Sequence, residues 1–164
     1  MGKIFIYDHL VYLNETNAMG GVVYYSNYSK WQGIVREAFF IRCVPEWQQI
    51  LSEVLKGNVE MITVEEHSNF IHHAYFGEEI VIKAIARDIQ KFNFKISYEM
   101  TKKNEQKIIY QGWQKIAFSD NKGRFIPIPE PFLKAALEHA SEDEIEQYKK
   151  RYLKTGHEVV QSIL

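Results

Sequence analysis

From about Asn27 to Arg42 the chain carries more apolar residues than one face of a helix can hold. Tyr28, Trp31, Val35, Ala38 and Phe39 recur at steps of three and four, which is one helical face. Ile34 and Phe40 lie off that face. A helix apolar around most of its circumference is stable in water only when other elements enclose it on several sides. The second half of the chain supplies the enclosure. Phe92, Phe94, Ile96, Tyr98 and Met100 alternate with Asn93, Lys95, Ser97, Glu99 and Thr101, a period of two that gives a strand one apolar face. Together the two patterns predict an α+β domain, with an antiparallel sheet curled round one long buried helix.

The flanking segments fit that plan. Residues 3–13 read as a first strand, and the polar loop at 14–21 ends on Gly20-Gly21, the mark of a tight backbone turn. Pro45 opens a second, shorter helix through Gln48, Leu51 and Leu55, which Gly57-Asn58 ends. Strands are predicted over 59–70, over 79–89 with Ile80, Ile82, Ala84 and Ala86 on one face, and over 107–119. The polar run Lys102-Lys103-Asn104-Glu105-Gln106 is the hairpin turn before the last of these. Pro127, Pro129 and Pro131 lead into a short helix, and Ser141 with Glu144 is a capping box for a final helix to about Lys154. Residues 1–164 read as a single domain, without internal repeats or a linker.

Composition narrows the function classes. Of 164 residues 46% are hydrophobic, enough for one core and too many for a disordered chain. Lys plus Arg number 20 against 21 Asp plus Glu, so the basic excess of a nucleic-acid binder is missing. Cys43 is alone, which excludes an intrachain disulfide and a multi-cysteine metal knuckle and favours a buried structural thiol. The opening run Met1 to Asp8 is charged again too soon for a signal peptide, and Ile6 stands where a myristoylation signal needs Ser or Thr. No apolar run approaches the ~18 residues of a membrane helix. A cytoplasmic protein free of membrane is expected.

The segment from Glu15 to Glu37, ETNAMGGVVYYSNYSKWQGIVRE, is the most informative. Its core, Gly21-Val22-Val23-Tyr24-Tyr25-Ser26-Asn27-Tyr28, followed by Arg36-Glu37 on the helix, resembles the hot-dog-fold thioesterases of the 4-hydroxybenzoyl-CoA thioesterase superfamily. Those carry a pattern like Asp-x-Asp-x-x-Gly-Val-Val-Tyr-x-x-Asn-Tyr. The later run Phe76-Gly77-Glu78-Glu79-Ile80 resembles their Gly-Asp-Glu-Leu element. Two departures stand out: Asn17 takes the place of the catalytic aspartate, and one residue is inserted between Gly20 and the Val-Tyr run. With Glu15-Thr16-Asn17, Asn27-Tyr28, Trp31-Gln32-Gly33 and Arg36-Glu37, the chain looks more like the enediyne-type polyketide thioesterases, which also have asparagine there and release polyene chains from an acyl carrier protein.

The resemblance implies a hot-dog fold and hydrolysis of an acyl or polyketide thioester, carried on an acyl carrier protein or on coenzyme A. It implies no cofactor beyond the substrate's phosphopantetheine arm, and dimers whose sheets join, paired again into tetramers with sites at the seam. It assigns catalysis to Asn17, Arg36 and Tyr28, and substrate binding to Gly20, Gly21, Tyr24 and Thr63. The chemistry is coherent. An amide has no useful basicity, so Asn17 orients water or donates a hydrogen bond, while Arg36 offers fixed charged donors to a developing oxyanion. Plainer readings stand beside these. Arg36 pairs with Glu15, Glu65 or another carboxylate; Asn17 is a turn former; the aromatic residues are core; Thr63 is an ordinary strand residue. Glu65 or Glu66 is a displaced acid candidate. His67, His72 and His73 have the wrong spacing for the paired-histidine metal motif, so no metal site is expected. Lys91 and Lys95 are candidates for a basic rim facing an acidic carrier. The alternatives in function are a short- or aromatic-acyl-CoA thioesterase and a hot-dog protein that binds acyl chains without turnover.

Overall fold

The computed structural model describes residues 2–17 and 19–152. In chain order it builds β1 (Phe5–Leu10), α1 (Ser26–Cys43), α2 (Trp47–Leu55), β2 (Val59–Phe70), β3 (Glu79–Arg87), β4 (Asn93–Lys102), β5 (Lys107–Asp120), β6 (Phe125–Ile126), α3 (Glu130–Glu138) and α4 (Glu142–Tyr152). The sheet order is β1-β3-β4-β5-β2, with β6 added to β5, and each of these pairs is antiparallel.

The two sequence periods meet in the core. Trp31, Val35, Phe39 and Phe40 of α1 are buried, as are the inward residues Ile80, Ile82, Ala84 and Ala86 of β3 and Phe94, Ile96, Tyr98 and Met100 of β4. Phe5 meets Phe39 edge to face at 5.5 Å, and Phe40 meets Phe132 of α3 at 5.1 Å. Such ring pairs add to the burial of area that dominates folding. The residues after α3 meet β3 at Ala86, whose N–H donates to the His139 carbonyl at 2.9 Å.

Several predicted boundaries move. The first strand ends at Leu10 rather than 13, because Val11 turns into the core and its backbone bonds to Glu78 and Gly77. A single 3-10 turn, Leu13–Glu15, follows. The second helix begins at Trp47, after Glu46 in the left-handed region at φ 54°, instead of at Pro45. Lys102, placed in the turn by its polarity, belongs to β4, where its Nζ pairs with Glu78 at 2.7 Å. The strand expected to reach 89 ends at Arg87, with Asp88 at φ 49°. Ser141 accepts from the Glu144 N–H at 3.3 Å, one half of the expected box; Lys154 lies outside the described residues.

Candidate active site

Glu15 anchors the loop that carries Asn17. Its buried carboxylate accepts from the Trp31 indole at 2.7 Å and from the Tyr12 N–H at 2.8 Å, and it lies 3.0 Å from His9 Nε2. Its carbonyl accepts from the Asn27 side chain at 2.6 Å and the Tyr24 N–H at 3.0 Å. Burial works to raise the Glu15 pKa, but the Trp31, Tyr12 and His9 bonds outweigh it and hold the carboxyl below its ordinary range. One residue thus ties the end of β1, the loop and the start of α1 together.

Two residues on, a hairpin projects. Thr16 bridges to Val23, and the Asn17 N–H donates to the Val22 carbonyl at 2.8 Å. Gly20 and Gly21 turn the chain at φ 80° and 64°, conformations a side chain disfavours. The far side is pinned to the segment before β3: Val22 bridges to Tyr75, and the Gly21 carbonyl accepts from the Phe76 N–H at 2.9 Å.

Between this hairpin and the start of α1 lies a cavity of about 460 Å³, lined by Asn17, Tyr24, Tyr28 and Phe70 together with Val22, Val23, Tyr25 and Ile71–His73. Among the described residues no Asp or Glu is in the lining. Tyr28 is buried in its wall, stacked on Tyr110 at 5.3 Å and against Trp31 at 5.0 Å. Its hydroxyl accepts from the Ala74 N–H at 3.0 Å, and burial pushes its pKa up, so it stays a neutral donor. Tyr24 is half exposed at the rim, 4.6 Å from Tyr25.

Arg36 lies two turns along α1, about 12 Å by helical rise. Its guanidinium donates to Thr63 Oγ1 at 2.5 Å and to Gln114 Oε1 at 3.5 Å. Neither proposed carboxylate partner reaches it, since Glu15 is held as above and Glu65 pairs with Lys115 at 3.0 Å. Among the described residues Arg36 has no ion pair, which leaves N–H donors for a ligand. Its charge reaches the core: burial pushes the Tyr98 hydroxyl far above the usual phenol range, and Arg36 works against that.

A buried polar chain that the sequence did not reveal separates the two groups. Gln32, one turn before Arg36, donates to the Tyr110 hydroxyl, which donates to Ser68 Oγ at 2.7 Å. Gly112 makes room for it. A Cβ there would sit 2.5 Å from the His67 carbonyl oxygen, 2.7 Å from the Tyr110 hydroxyl and 2.8 Å from Gln32 Nε2. The only sequence signal was a glutamine on an otherwise apolar helix face.

Within one chain, then, Asn17, Tyr24 and Tyr28 share the cavity, Gly20 and Gly21 shape its hairpin, and Arg36 with Thr63 forms a second cluster. The remaining candidates fall elsewhere. His67 stacks on Trp113, while His72 and His73 line the cavity. Among the described residues no three metal-ligating side chains gather. Burial pushes the Cys43 thiol up, away from reactivity. Lys95, expected on a basic rim, pairs with Asp88 at 2.7 Å.

A family model, the thioesterase-like superfamily, matches residues 11–137, most of the chain. The chain belongs to that superfamily. Its class is therefore the thioesterase class expected from the sequence, and the fold is the hot-dog. The structure is similar to a 1,4-dihydroxy-2-naphthoyl-CoA thioesterase from Synechocystis (TM-score 0.73, 19% identity, 82% of this chain and 96% of that one). It is also similar to the Dynemicin thioesterase, whose crystal structures concern polyene binding (0.76, 22%, 85% and 99%). A third likeness is to a 4-hydroxybenzoyl-CoA thioesterase mutant with its substrate bound (0.67, 20%, 81% and 98%). No curated protein sequence matches this chain.

Proposed function

We propose that this thioesterase releases an acyl or polyketide chain, β-ketoacyl or polyene among them, from an acyl carrier protein, and that it does so without a catalytic carboxylate. The observation that carries the reading is the cavity itself: Asn17 stands at its wall, no described Asp or Glu lines it, and the nearby Glu15 is fully engaged in structure. Thioesters are activated, so positioning water and stabilising the oxyanion supply the rate. Asn17 orients the water, Tyr28 offers a hydroxyl proton, and Arg36, steadied by Thr63, holds the oxyanion or a β-keto oxygen.

Asn17 lines the cavity while Arg36, two turns along α1 from Tyr28, does not, and a second copy brings such halves together. Among the described residues β2, twelve residues long, is a sheet edge paired only with β5, and Thr63 to His67 along it are exposed. A long bare edge invites another strand. A homodimer formed there places one copy's Asn17 hairpin against the other's α1 or β2, and two dimers make the tetramer.

A thiol-release panel tests this reading, using matched acyl and β-ketoacyl thioesters on carrier protein and on coenzyme A. Faster turnover on carrier-bound chains supports it. Preference for aromatic coenzyme A thioesters moves the function to the short-acyl type, and saturable binding with no release makes the protein an acyl-binding scaffold. One observation favours a variant mechanism: His72 and His73 line the cavity, and a neutral imidazole is a competent general base. Loss of turnover in His72→Ala or His73→Ala, with binding retained, would establish it.

A further inference from the structure

The face of the sheet turned away from α1 carries a separate groove of about 590 Å³. Strand register places Arg87 opposite Lys95, Ile85 opposite Ser97, and Ser97 opposite Trp113, so the guanidinium and the serine hydroxyl spring from diagonal neighbours on one face. The other charges there are engaged. Lys83 lies 3.7 Å from Glu99, which also accepts from Gln111 at 3.2 Å. Lys95 pairs with Asp88 and sits 4.3 Å above the Trp113 ring. Asp88 is held below the usual carboxylate range first of all by Lys95, with Arg87 a smaller influence. Arg87 has no hydrogen bond or ion pair among the described residues, and its Nε and Ser97 Oγ are both buried without a partner. Two withheld donors side by side are a deficit that an incoming acceptor relieves.

Beside them the lining is mixed, with both faces of the Trp113 ring already covered, by Lys95 on the β4 side and His67 on the β2 side. Trp113 stacks on His67 at 5.9 Å with the planes 18° apart, and Ile4 and Ile85 stand 44% and 40% exposed at the margin. One uncommitted guanidinium and one hydroxyl suit a single carboxylate, which accepts two parallel bonds from an arginine. We propose that this groove binds an organic carboxylate with an apolar body: the carboxylate on Arg87 and Ser97, the body against Ile4, Ile85 and the edge of the Trp113 indole. The site is distinct from the Asn17 cavity and does not depend on the catalytic reading.

The probe is 2-naphthoate, with octanoate and inorganic phosphate as comparisons, followed through the Trp113 indole resonance of the full chain and assigned with Trp113→Phe. Saturable shifts are expected with 2-naphthoate and with octanoate, and none with phosphate. Arg87→Met should weaken the naphthoate shift by roughly tenfold or more, and Ser97→Ala by less, with thioester turnover unchanged in both. Absence of a Trp113 shift at about 10 mM naphthoate, far weaker than any specific site, would overturn the proposal, as would an unchanged shift in Arg87→Met. A preference for phosphate would overturn the carboxylate assignment. A change of oligomeric mass in Arg87→Met would make the face a contact between copies instead.

Discussion

Glu15 and Asn17 sit two residues apart in one loop and are used in opposite ways. Glu15 is buried, and both its carboxylate and its carbonyl are taken up by β1, the loop and α1. Asn17 is exposed, its backbone closes the hairpin, and it lines a cavity. The acid that sequence comparison looks for at the catalytic place is present nearby, but as a structural clamp. A carboxylate so fully bonded is a poor base, because each bond stabilises the charged form that a base must give up.

The sharpest way to break that contrast is Glu15→Ala. It strands the buried Trp31 indole, at roughly 1–3 kcal/mol for a buried donor left unpaired, and frees the part-buried Tyr12 N–H; urea melts should show a fall of that order. Gly21→Ala comes next. Its φ of 64° costs a side chain about 1–2 kcal/mol, so a thermal melt should drop while the remaining folded protein binds substrate less well. Glu15→Gln sharpens the contrast by pH. A carboxyl with a lowered folded pKa contributes stability that is present above its unfolded value, near 4.5, and is lost as pH falls through the folded value. Wild type should therefore exceed the glutamine variant at neutral pH, and the gap should close in acid; a gap constant from pH 7 to pH 3 contradicts the clamp. Asn17→Asp should be the mildest, within about 0.5 kcal/mol in stability because the side chain is exposed, yet with a measurable change in turnover rate. Equal rates would remove Asn17 from the site.

What was legible in the sequence follows from period and punctuation. The fully apolar helix and the alternating strand required a wrapped sheet, and the glycine pair required a turn. The partners of single polar residues were not legible, since they are set by register between strands far apart in sequence. Gln32 meets Tyr110 and Ser68 only because β2 and β5 pair as they do, with Gly112 leaving the space. Arg36 meets Thr63, a second residue of the expected site, but that no described carboxylate reaches it depended on Lys115 capturing Glu65 across the same strand pair. Lys102 misled because its charge suggested a turn, when a buried partner, Glu78, holds it in β4.

The central claim is that Arg36, with no carboxylate base in the cavity, carries the chemistry. Thiol release by wild type and by Arg36→Ala, on the same carrier-bound β-ketoacyl thioester with melting temperatures measured alongside, tests it most directly. The account predicts a loss of roughly 10²–10³-fold in kcat, the cost of removing an oxyanion donor, with the fold intact. Undiminished turnover in Arg36→Ala would contradict it.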